Sequence, residues 1–421
     1  MLLNYRFENF MSFQENVEFS MIAPKTKVKQ RFPDNFVSLG QKCDILKTAV
    51  IVGENAGGKS NFVRSLEYLQ SFVRDNESVK AYRSKIHVNN IKGKCMKNNH
   101  TEQCFDIEIR SKNNYFYKYD LKIDSCGIIK EELSLKNQWK HKYRKVLSVF
   151  REEYKLECEE EECEQKNSCN TILCAKYKYD IPGFEPEMEL LLKNAINSQK
   201  HMGLFITKLA ILGNEHAVNF TDWIRKTLCP ETNIINYDIY KSMRNEDEDL
   251  QILYDPRFLD IFRLIDYSIK EIVVDEDHPF TKSMIIRKKR DNNTFSRELG
   301  QDSSGVREFF AWAVQIFKVV YEDKIVFADE IDRVLNPVLS DRIIAFINGM
   351  KHRGQFIFTT HNVLHLNLKN YMKEQIYFIT KDVESLESEL YSLADFPEVR
   401  YDTAKIYELY MKGILGGASV E

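Results

Sequence analysis

The stretch Ile51–Ser60, IVGENAGGKS, decides how the rest of this chain is read. Gly53, Gly58, Lys59 and Ser60 fall at the spacing G-x-x-x-x-G-K-[ST]. Glycines at those places let a backbone wrap closely around phosphates, so that successive N–H groups and a helix N-terminus face the negative charge. Lys59 would reach the β- and γ-phosphates, and the Ser60 hydroxyl would ligate Mg²⁺. Asn55 and Gly57 within the loop, and Asn61 just after it, are counted with the cradle. The flanks suit it. Leu46–Val52 (LKTAVIV) reads as a short buried strand, and Asn61–Phe72 (NFVRSLEYLQSF) has apolar residues at helical spacing. Strand, phosphate loop and helix in that order predict a nucleotide site, with ATP and Mg²⁺ as its cofactors.

Composition bounds the rest. The 421 residues hold 60 Lys+Arg against 63 Asp+Glu, a formal net charge of −3, with 43% hydrophobic residues. That is ample for a packed core in two or three compact units. The charge balance gives no global signature of nucleic-acid binding and leaves room for local basic patches. No basic start followed by an apolar run opens the chain, so no secretory leader is expected. No stretch approaches a membrane span, since Gln315 and Lys318 interrupt the most apolar one, Phe309–Val320. Nine cysteines without a leader point to reduced thiols and a cytoplasmic location.

Along the chain, residues 2–21 read as two short strands around Asn9–Ser12. CFDIEIRS, YFYKYDLKID and GIIKEELSL, between 104 and 135, read as a meander. Residues 1–135 are therefore taken as the first half of a nucleotide-binding core with a β lobe. Residues 136–270, with helical periodicity at Glu185–Gln199, His216–Leu228 and Arg257–Lys270, are expected to be a mainly helical insertion. Within it Cys158, Cys163, Cys169 and Cys174 lack the tight C-x₂-C pairs of structural zinc sites, so no metal is expected. Residues 271–421 resume the core. Strands at Glu271–Asp275 and Ser283–Lys289 precede DSSGV, a strongly apolar helix, the strand IVFADEID (Ile325–Asp332) and the strand QFIFTTHN (Gln355–Asn362).

An apolar strand ending in Asp329–Glu330 is what Mg-nucleotide hydrolysis needs at the rim of a parallel sheet. Asp329 would hold the metal's water shell, and Glu330 would orient and polarise the attacking water. His361, at the end of the next strand, could hydrogen-bond the γ-phosphate or its water. The order of P-loop, SSG at a helix start, ADE strand, D-x-x-x-x-P and TTHN resembles the ABC-type ATPases of the SMC/RecF/OLD branch. The resemblance implies an α/β, ABC-type P-loop core and sites shared between subunits, hence a homo-oligomer. Ser303, Ser304 and Gly305 then match the signature that closes on a neighbour's ATP, Asp332 the D-loop aspartate, and His361 the switch histidine. Asn9 and Ser12 in ENFMSF resemble the N-F-x-S motif near the nucleotide.

The order GENAGGKSN…SSG…ADEID…TTHN, with the tail LYSLADFPEVRYDTAKIYELYMKG, looks like the AAA-type ATP-binding proteins of bacterial anti-phage abortive-infection operons. That family usually has Glu and Thr where this chain has Asp302 and Val306, His-Pro where it has Asn336–Pro337, and Gly-Arg-Tyr-Gly where Gly413–Gly417 reads GILGG. The first two changes flank the transferred phosphate and imply slow turnover. The implied function is a defence ATPase, sensor or scaffold, that controls a separate effector, a nuclease or toxin. Only about sixty residues follow His361, too few for the nuclease domain that OLD-type proteins carry there. The alternatives are a RecF/SMC-like repair or replication ATPase that binds DNA, and a self-contained toxin or nuclease with its site in the insertion.

Overall fold

The computed structural model describes the chain except for residues 26, 41–42, 75–78, 80, 82–101, 125–126, 159–170, 184–189, 192–202, 232–245, 332–335, 364–365, 367, 402–405 and 416–421. The chain opens with β1 (Leu2–Glu8) and β2 (Val17–Ser20), then a short pair, β3 (Phe36–Ser38) and β4 (Asp44–Leu46). β5 (Thr48–Gly53) leads through the phosphate loop into α1 (Lys59–Arg74). Five strands follow: β6 (Gln103–Arg110), β7 (Phe116–Asp124), β8 (Gly127–Lys136), β9 (Arg144–Cys158) and β10 (Thr171–Asp180). Next come α2 (Phe205–Ile211), α3 (Glu215–Lys226), β11 (Leu228–Glu231), α4 (Glu246–Tyr254) and α5 (Pro256–Phe262). A three-stranded sheet, β12 (Ile269–Val273), β13 (Met284–Lys288) and β14 (Thr294–Glu298), delivers the chain to α6 (Ser304–Glu322). The last elements are β15 (Ile325–Ala328), α7 (Pro337–Gly349), β16 (Gln355–Thr360), β17 (Ile376–Lys381), β18 (Ser388–Ser392) and α8 (Ile406–Met411).

Two large sheets organise these elements. The central one runs β11-β15-β16-β5-β17-β18, parallel except for the edge strand β18. Its inner strands are near-continuous apolar runs because both faces are covered. Ala49, Ile51 and Phe327 belong to one hydrophobic core, and Val50, Val52 and Ala328 to the other. The second sheet, β10-β9-β8-β7-β6-β1-β2, is antiparallel throughout and holds the expected meander. α1 lies between the two sheets. Its Phe62 ring touches Tyr5, Phe7 and Phe19 on one side and Phe327 on the other. Burying one such side chain contributes roughly 1.5–3 kcal/mol, and the buried Phe62, Leu66, Leu69 and Val73 anchor this helix along its length. The far face of the central sheet is covered by α5, α6, α7 and α8.

The segment 136–270 departs from the mainly helical expectation in two places. It opens with the hairpin β9–β10, which extends the antiparallel sheet through the charge-dense run that begins at Lys155. A sheet with one face in water accepts charged residues at alternate positions, so charge density there did not exclude strands. Leu228–Glu231 is also no part of a separate helical unit, for it pairs in parallel with β15 as an edge strand of the central sheet. Two of the three expected helices appear as α3 and α5, with α5 ending at Phe262 rather than near 270, and the third, Glu185–Gln199, lies almost wholly outside the described residues. Of the four cysteines, Cys163 and Cys169 lie outside the described residues. Among the described residues no helix is long and apolar enough to cross a membrane.

Candidate functional site

The carboxyl ends of β15, β16 and β5 lie side by side, and each delivers one part of the site. β5 carries the phosphate loop. Gly53 has no room for a side chain, because a Cβ there would stand 2.4 Å from the carbonyl oxygen of Ile379 on β17. Gly58 sits at φ +116°, and a Cβ would meet Ser388 Oγ at 2.5 Å and Ser12 Oγ at 3.0 Å. Both glycines are thus fixed by geometry as well as by motif. Lys59 is only 4% exposed. Its Nζ donates to the carbonyl oxygens of Gly53 (2.9 Å) and Glu54 (2.8 Å), so its charge is folded into the loop.

A ring of small polar groups braces that loop. Ser388 Oγ donates its one proton to Gly57 O (2.7 Å) and accepts from Ser12 Oγ (2.8 Å). Asn61 Nδ2 donates to Ser12 Oγ (2.8 Å), and Ser388 N–H to Ser12 O (2.7 Å). Ser12, in the turn between β1 and β2, and Asn61, in the first turn of α1, both expected beside the nucleotide, therefore support the cradle. Ser388 does the same, although no motif marks it. Asn9, at φ 56°, donates through Nδ2 to Glu102 O (2.7 Å), tying the β1–β2 turn to the start of β6. Asn55 is exposed in the loop.

Asp329 and Glu330 follow β15 directly. Asp329 is 6% exposed and accepts a hydrogen bond from Thr359 Oγ1 (2.6 Å) on β16. The Ser60 hydroxyl is also hydrogen-bonded to its carboxylate. Burial pushes the Asp329 pKa above the ordinary carboxylate value, against the bonds from Ser60 and Thr359 and the Lys59 charge, all of which pull it down. A buried carboxylate touching a hydroxyl is a set of hard oxygen donors, the kind that Mg²⁺ takes. Glu330 adopts φ 48°, a left-handed conformation that costs of order 1–3 kcal/mol for a non-glycine residue. Its backbone N–H donates to Thr359 Oγ1 (2.8 Å), so Thr359 holds both acidic residues at once. Thr359 lies inside the quoted TTHN segment, yet its role was not legible there. His361, just past β16, is exposed at the same rim. Asp332 lies outside the described residues.

The signature stretch keeps to itself. Ser303 is the N-cap of α6, its Oγ accepting from Val306 N–H at 3.4 Å. Ser303 and Ser304 are exposed, and a Cβ on Gly305 would meet nothing within 4 Å. Asp302, where the resembled family has Glu, forms an ion pair with Arg287 (Nη2 at 2.7 Å) and accepts a hydrogen bond from Ser303 N–H (2.9 Å). Arg287 also bonds Asp266 through Nε (2.8 Å), so the stretch is clasped to β13. Within one chain the candidate residues thus form two groups: the P-loop with Ser60, Asp329, Glu330 and His361, and an outward-facing helix start, which the resemblance had assigned to a neighbour's ATP.

No curated protein matches the sequence. Among solved structures, the SMC head domain from Thermotoga maritima aligns with 93% of this chain and 98% of its own, at 11% identity and TM-score 0.43. A SmcHead bound to the C-winged helix domain of ScpA aligns over 93% and 97%, at 13% identity and TM-score 0.42. An Smc head with an extended coiled coil, bound to the C-terminal domain of ScpA derived from Pyrococcus furiosus, aligns over 93% and 96%, at 12% identity and TM-score 0.40. Residues 185–367 match the family model described as "AAA domain, putative AbiEii toxin, Type IV TA system". The part of the chain that holds the signature, the ADE strand and TTHN is therefore similar to AAA-type ATPase domains of the abortive-infection kind, as its motifs implied, and the fold sets the P-loop beside it.

Proposed function

We propose that this protein is an ABC-type ATPase of an anti-phage defence system, a sensor or scaffold whose nucleotide state controls a separate effector. The observation that carries the ATPase reading is the contact between the Ser60 hydroxyl and the Asp329 carboxylate, with Glu330 held beside them by Thr359. Ser60 and Asp329 would hold Mg²⁺, which when bound neutralises charge on the transferred phosphate. Gly57, Gly58 and Lys59 would bind the phosphates, Glu330 would take up the proton of the attacking water, and His361 would orient the γ-phosphate. The defence role rests on the similarity of residues 185–367 to the AbiEii-type family and on the motif order.

Glu330→Gln tests the chemistry. It keeps the size and the backbone of Glu330 while removing the base, so ATP should still bind while phosphate release falls by several orders of magnitude. Hydrolysis at the parent rate under saturating Mg²⁺ would overturn the assignment. The matched family is described as a putative toxin, which favours a second reading in which this chain is itself the toxic agent. Expressing the chain alone separates the two. Growth arrest without any partner supports the toxin, and normal growth supports the separate effector.

A further inference from the structure

The loop between β8 and β9 holds charge that the ATPase reading does not use. Residues 136–145 read KNQWKHKYRK, with Lys136, Lys140, Lys142, Arg144 and Lys145 and no acidic residue, in a chain whose formal net charge is −3. Lys140, Lys142, Arg144 and Lys145 are exposed. The loop is built rather than loose. His141 N–H donates to Gln138 O (3.0 Å), and the Lys136 ammonium lies over the rings of Trp139 (4.3 Å) and Tyr143 (4.4 Å). These cation–π contacts fix both aromatic residues and hold the other cations close together.

More positive charge adjoins it. Arg110, Phe116 and Lys136 are cross-strand neighbours on β6, β7 and β8. The Arg110 guanidinium lies over the Phe116 ring at 5.1 Å. The Met1 amino group, whose pKa burial lowers to about 5, donates to Arg110 O (2.7 Å), and Arg110, Lys112 and Arg353 line one cavity beside it together with Asp323. This end of the molecule is the pole away from the P-loop. β1 starts here at Leu2 and runs its full length of roughly 23 Å before reaching the turn that holds Ser12.

The geometry points to a binding surface for the phosphate backbone of nucleic acid, formed by the β8–β9 loop with Arg110, Lys112 and Arg353, at the pole opposite the ATP cradle. The face offers charge without an apolar centre. The rings of Trp139 and Tyr143 are engaged by Lys136, and no large exposed apolar side chain occurs at 110–115 or 136–145 among the described residues. A protein partner's interface would need such a centre, whereas phosphate recognition is chiefly a matter of clustered cations and counterion release. Because the surface is remote from the cradle, binding there competes with no part of the ATP site and needs no closed dimer.

The test is fluorescence anisotropy of the whole protein with a labelled 30-nucleotide single strand and its duplex, without ATP, over a salt series. Lys140→Gln/Lys142→Gln/Arg144→Gln should weaken binding by at least about tenfold at 50 mM salt and lower the slope of log K against log salt by about 2. The equal-charge control Lys25→Gln/Lys270→Gln/Lys412→Gln, at exposed lysines elsewhere, should bind like the parent. Lys59→Ala should also bind like the parent, which keeps this result separate from any failure of the ATPase reading. Absence of binding at 20 mM salt, an undiminished loop variant, or an equal loss in the control would overturn the proposal. So would displacement by polyglutamate at the charge concentration at which unlabelled oligonucleotide displaces the probe, since that would mark an acidic protein as the partner.

Discussion

Lys59 is nearly buried, and its ammonium is held by two carbonyl oxygens of its own loop. It can exchange those partners for phosphate oxygens, and no other cation stands inside the motif. Lys59→Ala should therefore abolish ATP binding, and unchanged affinity by calorimetry would refute the P-loop assignment. Gly58→Ala probes the brace instead. A methyl group at φ +116° would press on Ser388 and Ser12, the two hydroxyls that position the loop. We expect a loss of about 1–3 kcal/mol in stability and of any rise in melting temperature on adding ATP. A variant that melts like the parent and is still stabilised by ATP would show that the brace gives way freely. Ser388 and Thr359 show why part of the site was illegible. Each is a single hydroxyl whose importance arises from what a distant strand brings to it, Gly57 for one and Asp329 with Glu330 for the other. No local spacing encodes such a meeting.

Among the elements, the join between β8 and α2 carries a pH signature. Glu131 is wholly buried on β8 and accepts hydrogen bonds from the first N–H groups of α2, Phe205 (2.7 Å) and Ile206 (2.9 Å), and from Tyr119 Oη (3.0 Å). Burial still outweighs these bonds and pushes its pKa from 4.5 up to about 7. Between those two values the folded chain holds a proton that the unfolded chain has released. Stability therefore falls as pH rises from about 4.5 to about 7 and stays lower above it, by on the order of 3 kcal/mol. Denaturant unfolding at pH 5 and pH 8 measures the difference, and Glu131→Gln should remove most of it. An unchanged difference would place its origin elsewhere. Elements with a clean period were legible in the sequence. The alternation of β6, β7 and β8, the apolar runs of β5, β15 and β16, and the capped start of α6 all stand where the pattern put them. β9 and β10 escaped because charge density resembles a solvated segment, and β11 because four residues with a proline and a glutamate carry no period. Cys158 and Cys174 lie on those two strands, in backbone register with Thr171 and Lys155. Because the four cysteines lack the tight pairs of structural zinc sites, we expect no stoichiometric zinc in the purified protein. One zinc per chain by elemental analysis, lost on Cys→Ser substitution, would contradict this.

On the scale of the whole molecule, the question is where the signature acts. Ser303–Gly305 opens the 19-residue helix α6, faces outward, and makes its bonds within its own stretch. A hydroxyl and backbone N–H groups at a helix start would stabilise charge on a γ-phosphate, provided that phosphate comes from outside the subunit. We therefore expect hydrolysis only in an assembly with composite sites, in which ATP joins two subunits and its hydrolysis releases them. Two defective variants test this in combination. Lys59→Ala loses its cradle and keeps its signature, whereas Ser303→Arg keeps its cradle and presents a bulky cation in place of the capping hydroxyl. In a dimer of one with the other, one site unites the intact cradle with the intact signature, and the second site unites the two defects. After subunit exchange each mixed dimer should recover up to about half of normal turnover if the sites act independently. Steady-state phosphate release from each variant and from the mixture makes the measurement. If exchange is demonstrated and the mixture is no more active than its parts, independent composite sites are excluded. If Ser303→Arg alone retains full activity, the exposed start of α6 has no part in hydrolysis, and the site at the ends of β5, β15 and β16 must act without it.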